Sequence, residues 1–573
     1  MSIKKLAQDK HASKANATAI TNRAGGEAFN IESPALKLLT MTGGAFFSEP
    51  AYYSDIERQR DTNGAINLKA HIQKIEDGMV SYLYSGGLDS VAKEVIETAI
   101  AVAESDEPRD LLRLASWLRQ DMNIRLTPQV LLVLASRHEK AREHIDDFAH
   151  MIIVRPDEVK TCILMHEFFF GNKSRNSVLE RALKNALSRF SEKALLKYDD
   201  GNYPKWKDVL CMLKGRRAGF PLSKELASYF IKGEVSPEAT PIAYARKQLS
   251  ACKTFDVTAR KWAKLSQVNW EVLSSQFGGS KEIWTFLLEN NLVGYMAMLR
   301  NLRNVLKAEC ANETIDLICN FLSNKDEVKR SKQLPFRFLS AYNVVEGLYD
   351  LDSLKRTKLL SAIEDAMDAS LENLPEIDGL TAIFHDTSGS MSTPVSAKST
   401  VSCNMAGAMI AAICAKKCTE TYIGAFARDL KMVSFSKNDS VISIAKKLMN
   451  TDVGHATYTH KIMDWVIEAK IKPARIIVTS DMQAYGYDSL DDLWKKFSKS
   501  SNGKDCWLHS INLQGYGDTP FDNVNRVNLT AGFSEKILQQ LMDAEERNKT
   551  GESKVSSKTK SLPSVEMIRE MYK

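Results

Sequence analysis

No apolar stretch in this chain approaches the length of a membrane span. The longest, Met405 to Ala415, falls far short of the ~20 residues that crossing requires. The first residues, Met1-Ser2-Ile3-Lys4-Lys5-Leu6, hold no apolar segment of the kind a secretory signal carries. Cysteine is scarce as well: nine are scattered without paired spacing, an odd number that argues against a disulfide framework and suits reduced thiols. Cys414 and Cys418 are close in sequence, but no second pair completes a zinc site, so helix packing is expected of them. An excess of one charge is missing too. With 77 Lys and Arg against 71 Asp and Glu the net charge is +6, so a polyanion-binding surface must come from local clusters. These absences point to a cytoplasmic protein without a membrane partner.

What is present is enough apolar residue for several cores. The chain has 573 residues, 44% of them hydrophobic, which suggests roughly three to four domain-sized units. From about residue 65 to 370 nearly everything reads as amphipathic helix. Val91, Val95, Ala99 and Val102 fall on one helical face, and further segments are predicted at 156–169, 177–190, 206–214, 223–232, 281–290, 293–309, 312–323 and 352–373. Many short helices without strands imply stacked helical pairs, an α-solenoid of HEAT-like type.

After Pro375 the pattern changes. Apolar strand-like runs at 379–385, 420–426, 431–435, 475–480, 506–513 and 525–529 alternate with helices at 397–417, 438–449, 459–470, 488–499 and 534–546. Such alternation gives a doubly wound, mostly parallel α/β sheet. The expected organisation is a flexible N-terminus over 1–20, a helical domain over 21–374, an α/β domain over 375–547 and a flexible basic tail over 548–573. The tail is rich in Ser, Lys and Thr.

The stretch Thr381-Ala382-Ile383-Phe384-His385-Asp386-Thr387-Ser388-Gly389-Ser390 ends an apolar run abruptly in Asp-x-Ser-x-Ser. At the carboxyl end of a strand this places one carboxylate and two hydroxyls in a small loop, where α/β sheets collect their ligands. Hard cations, Mg²⁺ above all, take such oxygen ligands together with retained water. Two later positions extend the set: Thr457 in Gly454-His455-Ala456-Thr457, and Asp481, which closes the strand beginning at Arg475. Ser388, Ser390 and Thr457 are expected to coordinate directly, with Asp386 and Asp481 acting partly through water. The bland alternative is that Ser388 and Ser390 only cap a helix. Catalytic readings fit worse: a nucleophile elbow needs glycine two places either side of Ser388, and Asp386 and Ser390 stand there.

One motif in the first half invites a different reading. Ser85-Gly86-Gly87-Leu88-Asp89-Ser90 matches the phosphate loop of ATP-pyrophosphatase ligases. That fold needs alternating strands, whereas residues 91–232 read as helix after helix, so a glycine-rich turn before a helix is the expected structure.

Three basic clusters are candidates for phosphate binding. Residues 193–217 carry Lys197, Lys205, Lys207, Lys214, Arg216 and Arg217 with Tyr198, Tyr203 and Trp206 interleaved, just beyond Arg181 and Lys184. Residues 295–307 carry Arg300, Arg303 and Lys307 without an acid, and 246–264 carry six cations against Asp256. Cations neutralise phosphates while exposed aromatics stack on unpaired bases; the ordinary alternative is a solvated helix face.

The order of several short segments resembles the Ro autoantigen family of TROVE-module proteins, in particular its bacterial and phage-type members. They are Asn22-Arg23-Ala24-Gly25-Gly26-Glu27-Ala28-Phe29, Arg181-Ala182-Leu183-Lys184, Lys197-Tyr198, Lys207-Asp208-Val209-Leu210, Leu299-Arg300-Asn301-Leu302 and Leu334-Pro335-Phe336, followed by a von Willebrand factor A-like domain with a metal-dependent adhesion loop. The resemblance implies a monomeric ring of HEAT-like helix pairs closed by the A domain. It implies a non-enzymatic protein that binds small noncoding Y-type RNA on its outer surface and single-stranded ends of misfolded RNA in its central hole. It further implies a protein partner, for example a nuclease, at the A domain. The family's outer-surface Lys matches Lys197; its nearby Arg corresponds to Gly201, and its following His pair to Trp206 and Lys214. The metal loop departs too, with His455-Ala456 inserted before Thr457. Two other functions compete: a metal-dependent protein-adhesion scaffold without RNA and, more remotely, a ligase using Ser85–Ser90.

Overall fold

The computed structural model describes most of residues 90–531, together with 19–21, 27–30, 33–42 and 565–573 and a few positions between 537 and 545. The Ser85–Asp89 part of the phosphate-loop match lies outside these residues, as do Arg216 and Arg217. The described chain forms two compact units. One gathers residues up to 141 and from 374 onward; the other runs from 142 to 373. The division drawn from sequence followed element type, and so it assigned the first helices differently. Ser90–Glu104, Arg109–Gln120 and Leu126–Ala135 pack among themselves within the unit that holds the α/β domain.

Nine strands occur among the described residues: β1 (Ala19–Thr21), β2 (Glu27–Asn30), β3 (Ile377–Asp386), β4 (Cys418–Phe426), β5 (Leu430–Met432), β6 (Arg475–Ser480), β7 (Trp507–Asn512), β8 (Asp518–Thr519) and β9 (Val527–Ala531). Six form one sheet in the order β5-β4-β3-β6-β7-β9, with every neighbour parallel except the β4–β5 pair. Every residue of β6 is buried, as a central parallel strand covered on both faces must be. Helix Cys403–Lys417 packs on β3, β4 and β6. On the sheet's other face Phe384, Phe426, Ile476 and Val478 close over Ile462, Met463, Val466 and Trp494. The α/β alternation read from sequence is therefore the observed architecture, with boundaries shifted by a few residues. A second, antiparallel sheet, β1-β2-β8, was not foreseen; its strands are short, and β8 lies far in sequence from the β1–β2 pair.

Helices make up the described part of the second unit. Those expected at 156–169, 206–214, 281–290, 312–323 and 352–373 occur as Pro156–Phe170, Trp206–Leu213, Lys281–Glu289, Asn312–Ser323 and Ser353–Ser370. Polar residues set their starts: Asn176 accepts from Leu179 N at 3.1 Å, Asp256 from Ala259 N at 2.9 Å and Asp352 from Leu354 N at 3.1 Å. Pro156 and Pro241 open helices, where a missing N–H costs nothing. Neighbouring helices pack in pairs, such as Pro241–Ser250 with Val257–Leu265 and Pro335–Glu346 with Ser353–Ser370.

The tail expected to be flexible over 548–573 ends in a helix, Val565–Met571. It lies on Arg109–Gln120 and buries Val565, Ile568 and Tyr572, an apolar spacing that the surrounding Lys and Ser concealed. No helix among the described residues is long and apolar enough to cross a membrane.

Candidate metal loop and RNA surface

β3 and β6 are adjacent and parallel, so Asp386 and Asp481 emerge at the same carboxyl edge. Asp386 is fully buried; its Oδ1 accepts the Ser388 amide at 2.8 Å and its Oδ2 the Ser480 hydroxyl at 2.6 Å. The Ser388 and Ser390 hydroxyls are 3.3 Å apart, close enough to share one ligand. Gly389 N donates to His455 O at 3.1 Å, which ties the loop bearing buried Thr457 to the Asp-x-Ser-x-Ser loop. Three loops thus converge at one sheet edge. The alternative capping role fails for Ser388, whose side chain makes no cap bond to the short 3₁₀ turn Gly389–Ser392.

Electrostatics at this edge disfavour two bare carboxylates side by side. Burial, and after it the neighbouring Asp481 carboxylate, push the Asp386 carboxyl up to about 7, against hydrogen bonds from Ser480 and Ser388 that pull the other way. A divalent ion would balance both carboxylates, and the donor set is all oxygen, as Mg²⁺ prefers. Among the described residues no group of three or more His, Cys, Asp or Glu could hold a metal, so a cation at this edge would have to draw on the hydroxyls of Ser388, Ser390 and Thr457. Cys414 and Cys418 are both buried, and burial raises both thiols.

Two supporting residues were missed by sequence reasoning. His385 is fully buried, with Nδ1 2.9 Å from Thr479 Oγ1 and Nε2 2.8 Å from Asn404 Oδ1, so it joins β3, β6 and helix Cys403–Lys417 behind the loop. Ser480 was in view, one place before Asp481; a hydroxyl closing a strand beside a carboxylate was the signal.

The expected RNA-binding residues divide by environment. Lys197, Lys205, Lys207 and Lys214 are exposed. Trp206 is not a stacking platform, which corrects the expectation. It is 1% exposed, and its indole N–H donates to Leu195 O at 3.1 Å, pinning helix Trp206–Leu213 to helix Glu192–Lys197. An aromatic opening an amphipathic helix faces the core when Val209, Leu210 and Leu213 share its side. Tyr203 is half-buried and donates to Glu167 at 2.9 Å; Tyr198 is half-buried beside Lys197, whose Nζ lies 5.6 Å from the ring centroid. Arg181 is paired with Asp146 at 2.6 Å, and Lys184 is half-buried. In the third cluster Arg260 is paired with Glu282, and Arg246 bonds Leu196 O.

Helix Tyr295–Lys307 presents the cleanest cationic face. Tyr295, Met298, Leu299, Leu302, Val305 and Leu306 are buried, while Arg300, Arg303 and Lys307 are exposed at i, i+3 and i+7.

A helical-repeat unit and an A-type α/β domain with an oxygen-lined loop cluster define the class of protein. Sequence comparison agrees: residues 233–421 match the TROVE domain and residues 381–502 the Ro60 vWA domain. The chain thus carries a segment that matches the TROVE domain and, overlapping its end, one that matches a Ro60-type A domain. The fold resembles the crystal structure of the Deinococcus radiodurans RO (RSR) protein, with a TM-score of 0.59 and 15% identity over 79% of this chain and 93% of that one. The telomerase protein component 1 of Mus musculus is 21% identical over 313 residues, and that of Rattus norvegicus 21% over 295. Those matches take in 45% and 42% of this chain but only 12% and 11% of the relatives' own lengths.

Proposed function

We propose that this chain is a non-enzymatic RNA-binding protein that holds small noncoding RNA on exposed cationic helix faces. In the same reading it takes up single-stranded ends of misfolded RNA in a central hole, as a scaffold for RNA quality control. The observation that carries the proposal is the row Arg300, Arg303 and Lys307, exposed on one side of a helix whose other side is buried. Lys197, Lys205, Lys207 and Lys214 supply a second exposed group on neighbouring elements. Proteins with these two domains generally bind noncoding Y RNA, which supports the same assignment. Gly201 and Trp206 stand where the family has a cation and a histidine, so the preferred RNA is expected to differ from a Y-type consensus. In this reading the Asp386 loop is a cation-dependent handle for a protein partner such as a nuclease.

Filter retention of a structured RNA with a single-stranded 3′ end tests it. Reversing Lys197, Lys207 and Lys214 to Glu, or Arg300 and Arg303 to Glu, is expected to weaken retention at least tenfold. Native affinity should fall with salt at a slope of about −0.7 per phosphate contact for single strands. Unchanged retention in both variants overturns the surface assignment. The adhesion-only reading gains from Ser388 and Ser390, and it prevails if RNA retention is absent at low salt while a protein partner binds in Mg²⁺.

A further inference from the structure

Helix Val565–Met571 is too short to persist alone, since isolated helices below about 12 residues are marginal in water. Its order comes from the surface beneath it, helices Arg109–Gln120 and Pro34–Thr42, all within one compact unit. Val565, Ile568 and Tyr572 are 8%, 1% and 9% exposed, an i, i+3, i+7 set of anchors of the kind that seats an amphipathic helix in a groove.

Polar contacts around those anchors read particular side chains. Arg569 Nε donates to Asp110 Oδ1 at 3.0 Å and Oδ2 at 2.8 Å, and Nη2 to Oδ2 at 2.5 Å. The Tyr572 hydroxyl donates to Asp121 Oδ2 at 2.6 Å, and Arg113 Nε donates to the Tyr572 carbonyl at 2.9 Å. Arg113 is held in place by Asp110 Oδ1 at 3.1 Å. Asp121 is the C-cap of its helix, where a carboxylate opposes the helix dipole and so works against its own helix. That local conflict makes sense if the residue serves the arriving tyrosine.

We infer that helices Arg109–Gln120 and Pro34–Thr42 form a docking groove for an amphipathic helix bearing Arg-x-x-Tyr. Its ligand is the chain's own segment Val565–Tyr572. Attachment to the same chain makes docking of this segment intramolecular, so it outcompetes a free peptide of the same sequence. This groove is independent of the RNA reading.

The test uses the full chain and a fluorescent synthetic peptide of residues 562–573, followed by anisotropy. Arg569→Glu in the protein, at a partly exposed side chain, should release the internal helix and open the groove. The native-sequence peptide should then bind this variant saturably and at least tenfold tighter than it binds the native chain. A peptide carrying Arg569→Glu should fail on the same variant, yet bind a protein carrying Asp110→Arg. Failure of the native peptide to bind the Arg569→Glu protein overturns the inference. So does equal binding of both peptides to it, which would mean stickiness without recognition. Because Arg569 lies at the surface, the first arm decides the question even if the Asp110 variant does not fold.

Discussion

The hydroxyl of Ser480, last residue of β6, donates to Asp386 Oδ2 at 2.6 Å, so the ends of two neighbouring strands are bonded at the edge where the oxygen-rich loops meet. The bond orients Asp386 while its Oδ1 holds the Ser388 amide. Mg²⁺ is therefore expected to raise the melting temperature of the native chain, by the equivalent of about 2.7 kcal/mol at a hundred times its dissociation constant. Asp386→Ala and Ser388→Ala should remove most of that increment, and a chelator should reverse it. A melting curve indifferent to Mg²⁺ in the native chain would eliminate the cation from this loop.

The opposite edge of the sheet predicts a pH response. Arg475 Nη2 donates to Glu545 Oε2 at 2.8 Å and Nη1 to Thr381 Oγ1 at 2.8 Å, while His509 Nε2 lies 3.0 Å from Glu545 Oε1. Burial works against the Glu545 carboxylate, but the bonds from Arg475 and His509 outweigh it and hold its pKa at about 2, below the ordinary 4.5. A depressed carboxylate stabilises the fold fully above its unfolded value, and that contribution disappears as pH falls from 4.5 through about 2. At 1.36 kcal/mol per pH unit the group is worth about 3 kcal/mol. Acid unfolding followed by circular dichroism should steepen across this window, and Glu545→Gln should flatten it while lowering stability at pH 7.

Gly407 tests the packing behind the Asp386 loop. A methyl group there would stand 2.7 Å from His385 Cε1 and 2.9 Å from Leu513 Cδ1. Both neighbours are buried, and His385 is bonded at both ring nitrogens, so neither yields cheaply. Gly407→Ala should cost about 1–3 kcal/mol by overpacking, measured by denaturant titration. Loss of the Mg²⁺ increment together with stability would show that His385 transmits the strain to the loop.

Trp206 and Lys207 are adjacent in sequence and opposite in role. Trp206→Ala empties a core position and should cost about 3–5 kcal/mol. Lys207→Glu should leave stability within about 0.5 kcal/mol and lower RNA retention. Parallel thermal and filter measurements separate the two; equal loss of stability in both would contradict the exposed placement of Lys207.

Much of this was legible in the sequence, for physical reasons that differ by region. The α/β domain announced itself because buried parallel strands are continuous apolar runs; Arg475–Ser480 was bounded to the residue. The loop set Asp386, Ser388, Ser390, Thr457 and Asp481 could be collected because each follows a strand or sits between helices. Trp206 misled because an aromatic among lysines looks exposed until the helix phase of Val209, Leu210 and Leu213 is counted. The helix at Val565 was hidden by composition, β1 and β2 by their shortness, and β8 by distance: pairing between residues 30 and 518 leaves no local trace. His385 was quoted within the motif, yet its partners Thr479 and Asn404 come from other elements, and only folding introduces them.

β6 is only six residues long, and it begins at the Arg475 clamp and ends at Ser480 beside the oxygen loops. At about 3.3 Å per residue its ends stand roughly 16 Å apart, beyond the range at which substitutions ordinarily influence one another. The sheet's two rims can therefore be tuned separately: an engineer could redesign the oxygen-lined loops at one without loosening the staple at the other.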